Sequence, residues 1–141
     1  MIKLNIISSN HFIIQFYHKM HIEYNTIGKI PYYFLVDNEI QIGKCIIIKE
    51  NTDTIILKYI SIYENYRGND YSTQFWNLLE NEFRLQNIKY VTMEARELNE
   101  KYNKLYNLYT SWGFKINGNI RYTNNGEEVE RIIPMIKELY Q

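Results

Sequence analysis

The chain has 141 residues, 45% hydrophobic and 23% charged, which suits a single domain spanning residues 1–141 with a real core. Lys and Arg number 16, as do Asp and Glu, and this balance gives no electrostatic case for a nucleic-acid partner. The single cysteine, Cys45, excludes an internal disulfide and a multi-cysteine metal site, no apolar run is long enough to span a bilayer, and without a signal-peptide core the expected location is intracellular.

Ile2 to Ile7 reads as a first strand, and Asn10 to Tyr24 as a segment containing a helix. His11, His18 and His21 fall in or beside that segment. His18 and His21 are spaced to share a helix face, but no third ligand accompanies them, so no metal is expected. Ile30 to Val36 is rich in aromatic and β-branched residues and reads as a strand, closed by the turn signal Asp37-Asn38. Ile42 to Lys49 is the returning strand, with Gly43 as a candidate bulge and Cys45 as a small buried apolar group. Thr54 to Tyr63 is a longer strand whose near-continuous apolar character predicts burial on both faces.

The turn Tyr66-Arg67-Gly68-Asn69-Asp70-Tyr71-Ser72 leads into the clearest helix. Asp70 is placed as its N-cap. Tyr71, Phe75, Leu78, Leu79 and Phe83 share one face, and Gln74, Asn77, Glu80, Asn81 and Arg84 the other. Lys89 to Ala95 reads as a strand, and Glu100 to Trp112 as a second helix with Tyr102, Leu105, Tyr109 and Trp112 in a stripe. Gly113 is its left-handed stop. Ile116 to Arg121 begins a strand, Asn124-Asn125-Gly126 is a turn, and Val129 to Ile136 closes the sheet. Pro134 there predicts an edge position or a bulge. The order is that of an α/β (α+β) domain, a mixed sheet with helices on its faces.

Two segments carry a resemblance. Tyr66-Arg67-Gly68 matches part of the Gln/Arg-x-x-Gly-x-Gly/Ala loop of the GNAT N-acetyltransferases, and Leu108-Tyr109-x-x-x-Gly113-Phe114 has that family's Leu-Tyr-x-x-x-Gly-Phe spacing. The run from Gly126 to Leu139 is similar to its final hairpin strand. Asp70 departs from the loop pattern, where glycine is usual, and so does Ser72, where glycine or alanine is. The resemblance implies an acyl-CoA N-acyltransferase-like fold with a splayed central sheet, and acetyl-CoA as co-substrate. It implies transfer of an acetyl group to a primary amine, of a small molecule or of a peptide. An inactive CoA-binding or interaction module on the same fold is the alternative, favoured by Asp70. A homodimer is left open.

By position, the resemblance assigns pantetheine to main-chain groups of Ile60, Ser61 and Ile62, and pyrophosphate to those of Arg67, Gly68, Asn69, Asp70, Tyr71 and Ser72. A strand, a glycine turn and a helix start suit an anion, because free N–H groups and the positive helix end converge there. Tyr109 is then the proton donor to the leaving thiolate, since a phenol of pKa about 10 keeps its proton at neutral pH. Packing within its apolar stripe is the competing role. Glu94, Tyr59 and Ser61 are the candidates for a general base, and none is singled out.

Overall fold

A computed structural model describes residues 20–126 and 128–139. The predicted strand Ile2 to Ile7 lies outside the described residues, as do His11 and His18. Eight described strands belong to one hydrogen-bonded sheet flanked by helices, a mixed, splayed α/β arrangement. The chain divides into two compact units, one holding residues up to Ile46 with Ile60–Leu78, the other Ile47–Tyr59 with Leu79–Gln141.

In the first unit, β1 (Met20–Ile27), β2 (Ile30–Asp37) and β3 (Ile40–Lys49) form an antiparallel meander. Of the segment Asn10 to Tyr24, expected to contain a helix, only residues 20–24 are described, and they are a strand. Met20 pairs with Asp37 and His21 with Val36, so the partner strand decides what the local pattern left open. Asn38 and Glu39 both take positive φ (51° and 68°), the mirror-image turn whose twist suits a two-residue hairpin. The ladder skips Ile42 between Leu35 and Val36, so the bulge sits beside Gly43. A side chain at Gly43 would meet the Ser61 carbonyl at 2.8 Å, so glycine allows β3 to approach the end of the next strand. Leu35, Ile42, Cys45, Phe75 and Trp76 are buried here. Burial pushes the Cys45 thiol far up, so it stays a neutral, inert thiol.

In the second unit, β4 (Thr54–Ile62) pairs in parallel with β5 (Tyr90–Leu98) through Thr54↔Tyr90 to Leu57↔Met93. Burial follows that pairing. Ile55 and Leu57 are buried, whereas Lys58 and Tyr59, just past the last pair, are exposed. The expected two-sided burial therefore holds only for the first half of β4. Helix α1 (Tyr71–Leu85) spans both units and buries Phe75, Leu79 and Phe83 as its stripe predicts, with Trp76 added. Its predicted polar face is not all solvated. Glu80 accepts from Arg84 (2.5 Å) and from Lys137 Nζ (2.8 Å), and Arg84 also donates to the Leu139 carbonyl. Burial alone would raise the Glu80 carboxyl; the hydrogen bonds from Lys137 and Arg84 reverse this and hold it below its ordinary value.

The second helix is shorter than Glu100–Trp112. A 3-10 turn, Asn99–Lys101, comes first, and α2 is Lys104–Ser111. Asn103 between them takes φ 78°, which interrupts any continuous helix. The strand expected at Ile116 to Arg121 is two strands, β6 (Lys115–Ile116) and β7 (Arg121–Asn125). β8 (Glu128–Glu138) pairs with β5 along one edge and with β6 and β7 along the other. Pro134 is thus in an inner strand, not at an edge. It falls between the β7 pairing, which stops at Ile132, and the β6 pairing, which starts at Met135. Its carbonyl accepts from Asn117 N–H (2.8 Å) on that side, and the nitrogen of a strand residue points the same way, so its missing donor faces the interruption.

Candidate active site

The loop after β4 is tied down by its own side chains. Arg67 Nε donates to the Ile62 carbonyl at 2.8 Å, and Asn69 Nδ2 donates to the Tyr66 carbonyl at 3.3 Å. Helical bonding in α1 begins only with Gln74 N–H to the Asp70 carbonyl, at 3.4 Å. The N–H groups of Gly68, Asn69, Asp70, Tyr71 and Ser72 have no acceptor among the described residues. Gly68 (φ 88°) and Asp70 (φ 61°) are left-handed and Asn69 between them is not; left-handed residues in a turn are a common element of the N–H concavities that hold anions. This arrangement fits an anionic pyrophosphate.

Asp70 does not cap α1 with its side chain. A capping residue adopts extended backbone so that its oxygen can reach back to the helix, and φ 61° prevents that. Its carboxylate accepts no hydrogen bond among the described residues. The left-handed φ also explains why glycine suits this position; aspartate is among the few residues that tolerate it. Ser61 Oγ donates to the Ile62 carbonyl at 3.3 Å.

Tyr109, in the second unit, is only 6% exposed and packs between Trp112 (ring centroids 5.3 Å) and Phe114 (6.5 Å). Its hydroxyl has no hydrogen bond among the described residues. Burial, reinforced by the Glu97 carboxylate, pushes the phenol up to about 12. Glu97, absent from the sequence-based candidates, is 3% exposed. It accepts from Leu105 N–H at 2.7 Å, capping α2 from a neighbouring strand, and from Arg131 at 3.1 Å. Its signal was an acid in the apolar alternation Val91, Met93, Ala95, Glu97.

Glu94 lies on the other face of β5. Arg96 donates to one of its oxygens (2.9 Å) and Arg121 to the other, so it has little freedom to take a proton from an amine. It lines a cavity of about 570 Å³ with Ile56, Lys58, Thr92, Arg96 and Pro134, where the β4–β5 pairing stops. Tyr59 is 46% exposed. His21 is hydrogen-bonded to Glu23 on β1 (2.8 Å). Among the described residues no group of His, Cys, Asp and Glu could hold a metal.

No protein-family profile and no curated protein matches the sequence. Solved structures do. A GNAT-family acetyltransferase from Elizabethkingia anophelis, with acetyl-CoA bound, superposes with a TM-score of 0.68 at 18% identity, covering 84% of this chain and 97% of that one. The chain has the GNAT acetyltransferase fold. The ribosomal-protein-alanine N-acetyltransferase from Escherichia coli is similar at a TM-score of 0.68 and 19% identity, over 82% of this chain and 73% of that one. The aminoglycoside 6'-N-acetyltransferase from Enterococcus faecium matches at 0.63 and 18%, over 79% and 74%. These GNAT-fold structures differ in acceptor, so the fold does not name one.

Proposed function

We propose that the chain is an acetyl-CoA-dependent N-acetyltransferase that moves an acetyl group directly to a primary amine, as one N-acetyltransferase-like domain. The observation that carries this is the run of five unpartnered N–H groups from Gly68 to Ser72, at the point where the GNAT fold presents a loop between strand and helix. The N–H groups of Gly68 to Ser72 would hold the pyrophosphate, that of Arg67 being taken by the Glu64 carbonyl at 3.3 Å, and main-chain groups of Ile60, Ser61 and Ile62 the pantetheine arm. Bound acetyl-CoA would supply the thioester carbonyl. Tyr109 would hold its proton through neutral pH, because burial pushes its phenol up to about 12, and would deliver it to the leaving sulfur. Glu94, paired with two guanidiniums, is set aside as the base, and water would carry the amine proton away.

A small-molecule acceptor is favoured, because the cavity beside Lys58 and Glu94, about 570 Å³, is of small-molecule size. A peptide amine is the second choice, in line with the ribosomal-protein enzyme that shares the fold. No described helix is long and apolar enough to cross a membrane. An intracellular enzyme is the working assumption. A CoA-binding module without catalysis is the rival reading, and the unpartnered Asp70 carboxylate favours it. Calorimetry with acetyl-CoA, followed by thiol release over a panel of amines, separates the two. Binding with turnover supports the enzyme; binding alone supports the module; no binding at millimolar CoA removes both.

A further inference from the structure

The cavity at the end of the β4–β5 pairing carries an unbalanced charge. Glu94 is matched by Arg96 and Arg121, and Arg96 also reaches Glu130 at 3.1 Å. That leaves two carboxylates and two guanidiniums in mutual contact. Lys58 is the further cation. It lines the cavity from β4, on the residue just past the last β4–β5 pair, and has no hydrogen bond or ion pair among the described residues. It breaks an otherwise apolar strand, where a packed residue would be the ordinary choice.

We infer that this cavity takes an acceptor that carries a carboxylate beside its amine, an amino acid, and that Lys58 is the residue that selects it. This rests on the N-acetyltransferase reading and names its substrate class. A volume of about 570 Å³ admits a whole amino acid with its side chain. The apolar wall of Ile56 and Pro134 suits an uncharged side chain, while Lys58 offers an ammonium to the carboxylate. A polyamine or an aminoglycoside, with several positive charges, would meet the unbalanced Lys58 and be repelled. The pairing of Glu94 leaves it unable to compensate, because each of its oxygens already accepts from a guanidinium.

The test measures binding apart from turnover. Ligand-observed NMR titrations compare leucine, leucinamide and spermidine on the full chain, and acetyl-CoA thiol release is followed in parallel with the same three amines. The expected result is leucine bound about tenfold more tightly than leucinamide, with spermidine weakest. Lys58→Met should erase the difference between leucine and its amide, and Lys58→Arg should keep it, because both side chains bring the charge. Lys58 is exposed, so neither variant threatens the fold. Equal binding of leucine and leucinamide, or a preference for spermidine, overturns the inference even if the amines are acetylated. A carboxylate preference that depends on Lys58 without thiol release keeps the amino-acid site but removes its role as an acceptor site together with the transferase reading.

Discussion

Phe114 closes the helix on which Tyr109 stands: its N–H donates to the Tyr109 carbonyl at 3.1 Å, and the two rings lie 6.5 Å apart. Gly113, at φ 98°, donates to the Thr110 carbonyl at 2.9 Å. These two bonds make a Schellman stop, in which the residue after the glycine returns to the third residue from the helix end. The Leu-Tyr-x-x-x-Gly-Phe spacing therefore has a structural cause of its own. The ring contact between Tyr109 and Phe114 is the apolar contact that accompanies such a stop, and the hydroxyl is what remains to be explained by chemistry.

Tyr109→Phe isolates that hydroxyl. It keeps the ring contacts with Trp112 and Phe114 and deletes a group with no partner among the described residues. The melting temperature should stay within a degree or two of the parent, and acetyl-CoA affinity should not change. The turnover number should fall by about 10²–10⁴-fold if the phenol donates the proton. Full turnover with a confirmed acceptor would remove Tyr109 from the mechanism.

The same phenol has a signature in alkaline unfolding. Its folded value, about 12, lies above the ordinary 10, so the native state keeps a proton that the unfolded chain releases. The associated stability is complete below pH 10 and is lost as pH rises from 10 to 12, by roughly 1–3 kcal/mol. Denaturant titrations at pH 9 and 11.5 should show a larger loss for the parent than for Tyr109→Phe. Identical losses would place the phenol in water.

Gly68→Val tests the cradle. Valine at φ 88° is a steric outlier, costing about 1–2 kcal/mol, although a side chain at 68 would meet nothing within 4 Å. The backbone should relax away from the left-handed region and turn its N–H aside. Acetyl-CoA should then bind at least tenfold more weakly in calorimetry, with a modest fall in melting temperature. Unchanged affinity would move the pyrophosphate elsewhere.

Asp70→Gly separates charge from conformation. Glycine relieves left-handed strain of about 1 kcal/mol and loses a similar amount to unfolded-chain entropy, so stability should scarcely move. With the carboxylate gone from beside the cradle, acetyl-CoA should bind more tightly, most clearly at low salt. Weaker binding in this variant would show that Asp70 supports the site rather than opposing it.

Glu80→Gln tests the contact between α1 and β8. Glu80 titrates below its ordinary value, so its contribution is present above about pH 4.5 and fades as pH falls further. The variant should lose roughly 1–3 kcal/mol at pH 7 and less at pH 3. An equal deficit at both values would assign the loss to packing.

Much of this was legible in the residues. Period-2 and period-3.6 patterning placed β2, β3, β4, α1 and β5, and the Gly113 stop was read from its spacing. What patterning missed depends on partners distant in sequence. Met20 to Tyr24 is a strand because β2 lies beside it. The break before α2 comes from the left-handed Asn103 and from Glu97, which supplies a cap from β5. Pro134 is tolerated inside the sheet because two separate partners leave a gap at that residue. For the site, the resemblance drew notice to Arg67, Gly68 and Tyr109, whereas Lys58 and Glu97 were visible only as charges out of step with apolar strands.

β8 hydrogen-bonds on both of its edges, and it comes last among the described strands. During synthesis β5 therefore leaves the ribosome well before the strand that will cover one of its sides. Until then Val91, Met93 and Ala95 sit on a strand with an open row of peptide groups, a ready template for pairing with another nascent chain. A slow ribosome or a crowded polysome would prolong that interval, so yield in cells should depend on how fast residues 128–138 are delivered, and on chaperones that hold β5 in the meantime.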